Sequence, residues 1–255
     1  MSQSVQEYLK QNIEEIAYLE LEGLEFVRVD FYGMSQSNTL LEQLKSKAVE
    51  MELLEPETEI TAETAFTLVR DMPYRRASSR EPETTIREWS GTCSGKHYLL
   101  KALFEELGIK SRLIACTTVA TINPKDVAGK LRSLLEESNG RFVDVHNYLI
   151  LELPDGDMIV DATWPITTKG LGTVVNEHFV LGENHKIACE PIEIWEIPEG
   201  SDPQGFKDEL LADNFTPQEL EHREKIIATI SRMSNNPWLR LIMRVVRFVK
   251  GLGLG

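Results

Sequence analysis

The chain has 255 residues, with 41 acidic against 27 basic side chains and a net charge of −14. Hydrophobic residues at 42% and charged ones at 27% exclude wholesale disorder, and the acidic balance excludes general nucleic-acid binding, which needs clustered Lys and Arg. No apolar run approaches the ~18 residues of a spanning helix, the N-terminus lacks the pattern of a secretory signal, and three cysteines make no disulfide framework. A cytoplasmic, reducing location is therefore expected.

Residues 3–22 carry Val5, Leu9, Ile13, Ile16 and Leu19 near a 3.6-residue period and predict an amphipathic helix. The alternating run 24–32 predicts a strand, and 38–54 a second helix. Pro56 marks a first boundary, so 1–60 reads as an N-terminal α/β extension, net −9. Residues 61–71 predict a helix ended by Pro73. The segment 75–85 reads as a polar loop in which Arg75, Arg76 and Arg80 are candidate anion binders, a solvated basic loop being the plainer alternative. Ser94–Leu107 predicts a helix with Gly108 just past its end. Strands are expected at 112–121, 142–153 and 158–163, a helix at 124–137, and a turn at Pro154-Asp155-Gly156-Asp157. One more β-rich segment spans 187–197, and Thr216-Pro217-Gln218-Glu219 has the pattern of a helix start with a capping box.

Of the three thiols, Cys116 and Cys189 sit in β-rich segments and read as inert core residues. Cys93 lies in Trp89-Ser90-Gly91-Thr92-Cys93-Ser94-Gly95-Lys96, where a thiol meets the unpaired N–H groups and positive dipole end of a helix. Lys96 adds a positive charge, while Gly91 and Gly95 would admit a substrate backbone. A nucleophilic thiolate also needs a base and a group that orients it. His146 and Asp161 lie on the two strands joined by the turn, and their parity puts them on one face. A hairpin centred on 155–156 sets Asp161 opposite Ile150, a four-residue offset from His146. At ~3.3 Å per residue that is a gap of about 13 Å, for twist or a bulge to close.

Gly91-Thr92-Cys93 heading a helix that ends at Leu107-Gly108-Ile109, then His146-Asn147-Tyr148, then Asp161-Ala162-Thr163-Trp164, resembles the transglutaminase-like superfamily, papain-fold cysteine enzymes with a Cys–His–Asp triad in this order. The resemblance covers 62–165. It implies an α+β fold with a papain-like core, in which the helix bearing the nucleophile packs on an antiparallel sheet. It implies Cys93 as nucleophile, His146 as general base and Asp161 as its orienting acid. The chain departs from the family at His97, where a small residue is usual. Trp89, Lys96 and His97 are candidates for the oxyanion site or for tuning the thiol, His97 because it lies four residues after Cys93 on one helical face.

The expected activity is acyl transfer or hydrolysis at a carboxamide or peptide bond: a peptidase, amidase, deamidase or cross-linker acting on a protein, peptide or small amide. The alternative is a catalytically silent fold serving as a scaffold. No metal or organic cofactor is implied. Zinc held by Cys93, His97, His146 and Asp161 lacks a short-spaced second ligand pair. A nucleophile elbow at Gly91-x-Cys93-x-Gly95 lacks the buried strand it needs. His178, His185 and His222 read as surface residues. The catalytic core is expected at 61–200 and a helical segment at 201–255. In the tail, Arg240, Arg244 and Arg247 form one stripe, so residues 238–250 are a candidate contact for a membrane surface or a partner, against packing on the chain's own core.

Overall fold

The computed structural model describes residues 39–170 and 172–234. The predicted helix at 3–22, the strand at 24–32 and the basic tail 238–250 lie outside the described residues. The described residues belong to one compact unit.

In chain order the elements are α1 (Leu40–Glu50), α2 (Ala62–Asp71), α3 (Pro82–Glu88), α4 (Cys93–Glu106), β1 (Ser111–Thr121), a 3-10 turn (Pro124–Asp126), α5 (Gly129–Glu137), β2 (Arg141–Leu153), β3 (Gly156–Val160), a 3-10 turn (Ile166–Thr168), β4 (Ile194–Glu196), α6 (Pro203–Asn214) and α7 (Pro217–Ser234). The architecture is α+β. Four strands in the order β3-β2-β1-β4 make one antiparallel sheet, with helices packed against it.

The centre of the molecule is α4. Its Leu99, Leu100, Leu103 and Phe104 are fully buried, and they share one core with Phe66 and Val69 of α2, Leu44 and Ala48 of α1, and Val145, Leu149 and Leu151 of β2. Each such side chain contributes about 1.5–3 kcal/mol relative to exposure, which fixes the helix against the sheet and so places its first turn. Gly108, at φ +75°, ends the helix in the left-handed conformation that glycine tolerates. A separate cluster of Leu134, Leu135 and Ile226 fastens α5 to α7.

Three expectations are revised. The loop at 75–85 gives way to α3, with Pro82 at its first position and Thr84, Thr85 and Ile86 buried. The helix expected at 124–137 divides, since Val127 and Ala128 are extended between the 3-10 turn and α5. Within 187–197 only Ile194–Glu196 is a strand, though the Ile192 N–H still donates to the Thr117 carbonyl at 2.9 Å.

Candidate active site

Helix α3 ends at Trp89, whose left-handed backbone (φ 46°, ψ 50°) turns the chain so that four residues later α4 begins at Cys93. Cys93 is thus the first helical residue, beside N–H groups that have no partner within the helix. A strand does not precede it, so the elbow alternative has no support. The two glycines serve packing rather than substrate approach. A Cβ at Gly91 would lie 3.0 Å from Lys96 Cγ, and one at Gly95 would lie 3.3 Å from Thr85 Oγ1.

The hairpin closes more tightly than expected. Leu153 pairs with Gly156 and Leu149 with Val160, leaving a two-residue loop at Pro154-Asp155. Continued by one residue, this register sets Asp161 opposite Tyr148, two residues from His146 instead of four. Strand β3 stops at Val160, and Asp161 begins a turn in which its Oδ1 accepts the Thr163 N–H at 3.0 Å. The gap is thereby closed: His146 Nε2 lies 2.8 Å from Asp161 Oδ2, and both side chains are buried. Cys93 lies close enough to His146 for the sulfur and the imidazole each to shift the other's titration. The structure brings Cys93, His146 and Asp161 together.

Asp161 is held from several directions. Its Oδ2 also accepts the Ala188 N–H at 2.8 Å, its carbonyl accepts Asn176 Nδ2 at 2.9 Å, and its N–H donates to His185 Nδ1 at 3.2 Å. His185 is therefore a support of the acid and not a surface residue. Burial opposes ionisation of Asp161, but the His146 charge and hydrogen bond hold it well below the ordinary carboxylate range. Burial likewise opposes charge on His146, and the Asp161 carboxylate overcomes this, raising the imidazole well above its usual value.

Beside the triad stands a residue that sequence reasoning missed. Lys207, from α6, places Nζ 3.7 Å from Cys93 Sγ and donates to Ser94 Oγ at 3.1 Å. Ser94 in turn donates to Asn147 Oδ1 at 2.9 Å. Burial would raise the Cys93 thiol; the Lys207 ammonium outweighs it, with help from His146, and brings the thiol down to about 6. The two shifts, the thiol downward and the imidazole upward, both favour the thiolate–imidazolium form of the pair. Asp144, buried and two residues before His146, takes Arg223 Nε and Nη2 at 2.8 and 2.6 Å and lies 3.8 Å from Lys207. Nothing local marks Lys207 or Arg223 in sequence. An acid inside the apolar run Phe142-Val143-Asp144-Val145 was a readable signal for Asp144, because buried charges require partners.

The other candidates take different roles. Lys96 turns away from the sulfur and donates to the Arg70 and Thr163 carbonyls at 2.8 and 3.0 Å, and burial lowers its ammonium to about 7. His97 bonds the Cys93 carbonyl through Nδ1 at 2.7 Å and accepts the Ala162 N–H at Nε2 at 2.9 Å. Both ring nitrogens are thus committed, with burial lowering the imidazole to about 4, and it touches the thiol's backbone rather than the thiol. Trp89 packs in the main core. The three arginines do not converge. Arg75 donates to the Glu88 carbonyl and Ser90 Oγ, and Arg76 pairs with Glu224 of α7 at 2.8 Å. Arg80 lines a cavity of about 330 Å³ with Tyr98, Lys101, Glu105, Asp202 and Gln204. Among the described residues no group of three or more His, Cys, Asp or Glu side chains is arranged to hold a metal ion.

No family model matches the chain, and neither a curated protein nor a solved structure matches it. Among the described residues no helix is long and apolar enough to cross a membrane.

Proposed function

We propose that the chain catalyses thiol-mediated acyl transfer at a carboxamide or peptide carbonyl, on a papain-like, transglutaminase-like core. The observation that carries this reading is the joined set Cys93–His146–Asp161, with the thiol lowered to about 6 at the head of a helix. A helix bearing the thiol, packed on an antiparallel sheet whose hairpin carries base and acid, supports the fold assignment.

The Cys93 thiolate attacks the carbonyl carbon, and the electron pair of the C=O bond moves to oxygen. Free N–H groups of the first turn of α4 and the Lys207 ammonium stabilise that oxyanion. As it collapses, the C–N bond breaks and His146 gives its proton to the leaving amine, producing a thioester. Water or an amine, deprotonated by His146, then attacks the thioester and releases the thiol. Asp161 keeps the imidazole oriented throughout. Cys93 is only 2% exposed, with Lys207 of α6 against its sulfur, so substrate reaches the sulfur once α6 yields.

That burial also favours a second reading, a silent scaffold in which Lys207 occupies the space an incoming carbonyl would need. Acyl-enzyme trapping separates the two. With p-nitrophenyl acetate, the full chain is expected to release nitrophenolate and carry a hydroxylamine-sensitive acetyl group mapped to Cys93. Cys93→Ser is expected to carry none, and adding a primary amine distinguishes transfer from hydrolysis. Release no faster than from Cys93→Ser leaves the scaffold reading standing.

A further inference from the structure

The two thiols that sequence reads as inert lie against each other, Cys116 Sγ 3.8 Å from Cys189 Sγ. Cys116 is fully buried, in an apolar cluster with Ile114 and Tyr148, while Cys189 is half-buried at its edge. The pair borders the triad on two sides. Cys116 is the β1 residue opposite His146 in the β1–β2 ladder. Cys189 directly follows Ala188, whose N–H donates to the same Asp161 oxygen that receives His146.

We propose that Cys116 and Cys189 form a reversible disulfide, a redox site coupled to the triad through Ala188. Its oxidant is a hydroperoxide. The more accessible Cys189, as thiolate, attacks the terminal peroxide oxygen. The O–O bond breaks, and with hydrogen peroxide the departing hydroxide takes up the proton that Cys189 lost on ionising and leaves as one water, while Cys189 becomes a sulfenic acid. Cys116 sulfur then attacks Cys189 sulfur, the S–O bond breaks, and hydroxide leaves with the Cys116 proton as a second water. Two thiols lose two electrons in total and one peroxide becomes two waters.

The thiols are primed for these roles. The contact between the two sulfurs is the first cause of both shifts, lowering the more exposed Cys189 and raising the fully buried Cys116. Closing the sulfurs to the ~2.05 Å of a disulfide falls on the Cys189 side, because Cys116 is held in the ladder between β2 and β4. The segment that shifts carries the Ala188 N–H, so the hold on Asp161 changes with it. The disulfide does not depend on what reaction the triad performs.

The test treats the full chain with hydrogen peroxide, blocks remaining thiols with iodoacetamide, and maps non-reduced peptides by mass spectrometry. A peptide joining Cys116 to Cys189 is expected, lost on adding dithiothreitol and absent from Cys189→Ser. In a Cys93→Ser background, the His146 ring resonances are expected to shift on oxidation and return on reduction. Over-oxidation of Cys189 beside an alkylated Cys116, or linkage of either to Cys93, overturns the site. Linkage with unmoved His146 resonances overturns the coupling.

Discussion

An ammonium group 3.7 Å from a buried sulfur does to the thiol what water cannot do inside a protein: it stabilises the charged form against desolvation. Lys207→Met keeps the length and removes the charge, so the Cys93 thiol is expected to titrate higher. Each pKa unit lowers the thiolate fraction on the acid side about tenfold, readable as slower alkylation below the new pKa, with the folded spectrum unchanged. A Lys207→Met chain that alkylates with the wild-type pH profile contradicts this role. His97 presents the opposite case. Its two bonds, to the Cys93 carbonyl and the Ala162 N–H, mark it as a positioning residue. His97→Leu leaves the buried Ala162 N–H unpaired, at a cost of about 1–3 kcal/mol, measurable in urea unfolding. The grouping of Cys93, His146 and Asp161 was legible residue by residue because thiol, imidazole and carboxylate are chemically distinctive types. For His97 the sequence left tuning and covering of the thiol open, because helical spacing reports which residues share a face and not which atom of a neighbour a ring will meet.

At the scale of elements, α6 and α7 meet the sheet at the buried Asp144, through Lys207 and Arg223; Arg141 of β2 also pairs with Glu219 of α7, and Arg76 with Glu224 adds an outer tie. Burial opposes the Asp144 charge, but the Lys207 and Arg223 cations prevail and lower its pKa. A carboxylate lowered in the folded state stabilises fully above its unfolded value of ~3.9, and the contribution is lost as pH falls toward the folded value. Asp144→Asn leaves the buried Arg223 with only the half-exposed Glu224 as counter-charge and Lys207 without its nearest acid, and is expected to lose about 3–5 kcal/mol. Its urea midpoint at neutral pH is expected to fall, and its remaining stability to depend less on acid than wild type. An unchanged midpoint contradicts the tie. Some elements were readable from their ends: at the start of α7 the Thr216 N–H bonds Glu219 Oε2 at 2.9 Å and the Glu219 N–H bonds Thr216 Oγ1 at 3.3 Å, the expected reciprocal cap. Helix α3 was missed because its polar residues hide the period, although Pro82 signalled a start. The hairpin illustrates a third case. Its turn residues were evident, but loop length sets register, and the two-residue loop at Pro154-Asp155 moved Asp161 two places nearer to His146.

For the whole molecule, the uneven charge seen at the outset has a local counterpart. Against a net charge of −14, the surroundings of the thiol hold Lys207, Arg223 and His146, whose imidazole the Asp161 carboxylate raises, offset by Asp144 and Asp161. A thiolate fits that balance. Two of these five groups, Lys207 and Arg223, come from beyond residue 200, which no pattern local to Cys93 could announce, and which makes the C-terminal helices part of the site instead of an appendage. The most direct measurement is the rate of iodoacetamide alkylation at Cys93 against pH in the full chain, each thiol followed by mass spectrometry. An inflection near 6 is expected, moving toward the ordinary thiol value of ~8.5 in His146→Ala. If Cys93 reacts no faster than Cys116 at neutral pH, or if its profile is the same without His146, the triad does not exist as a chemical unit.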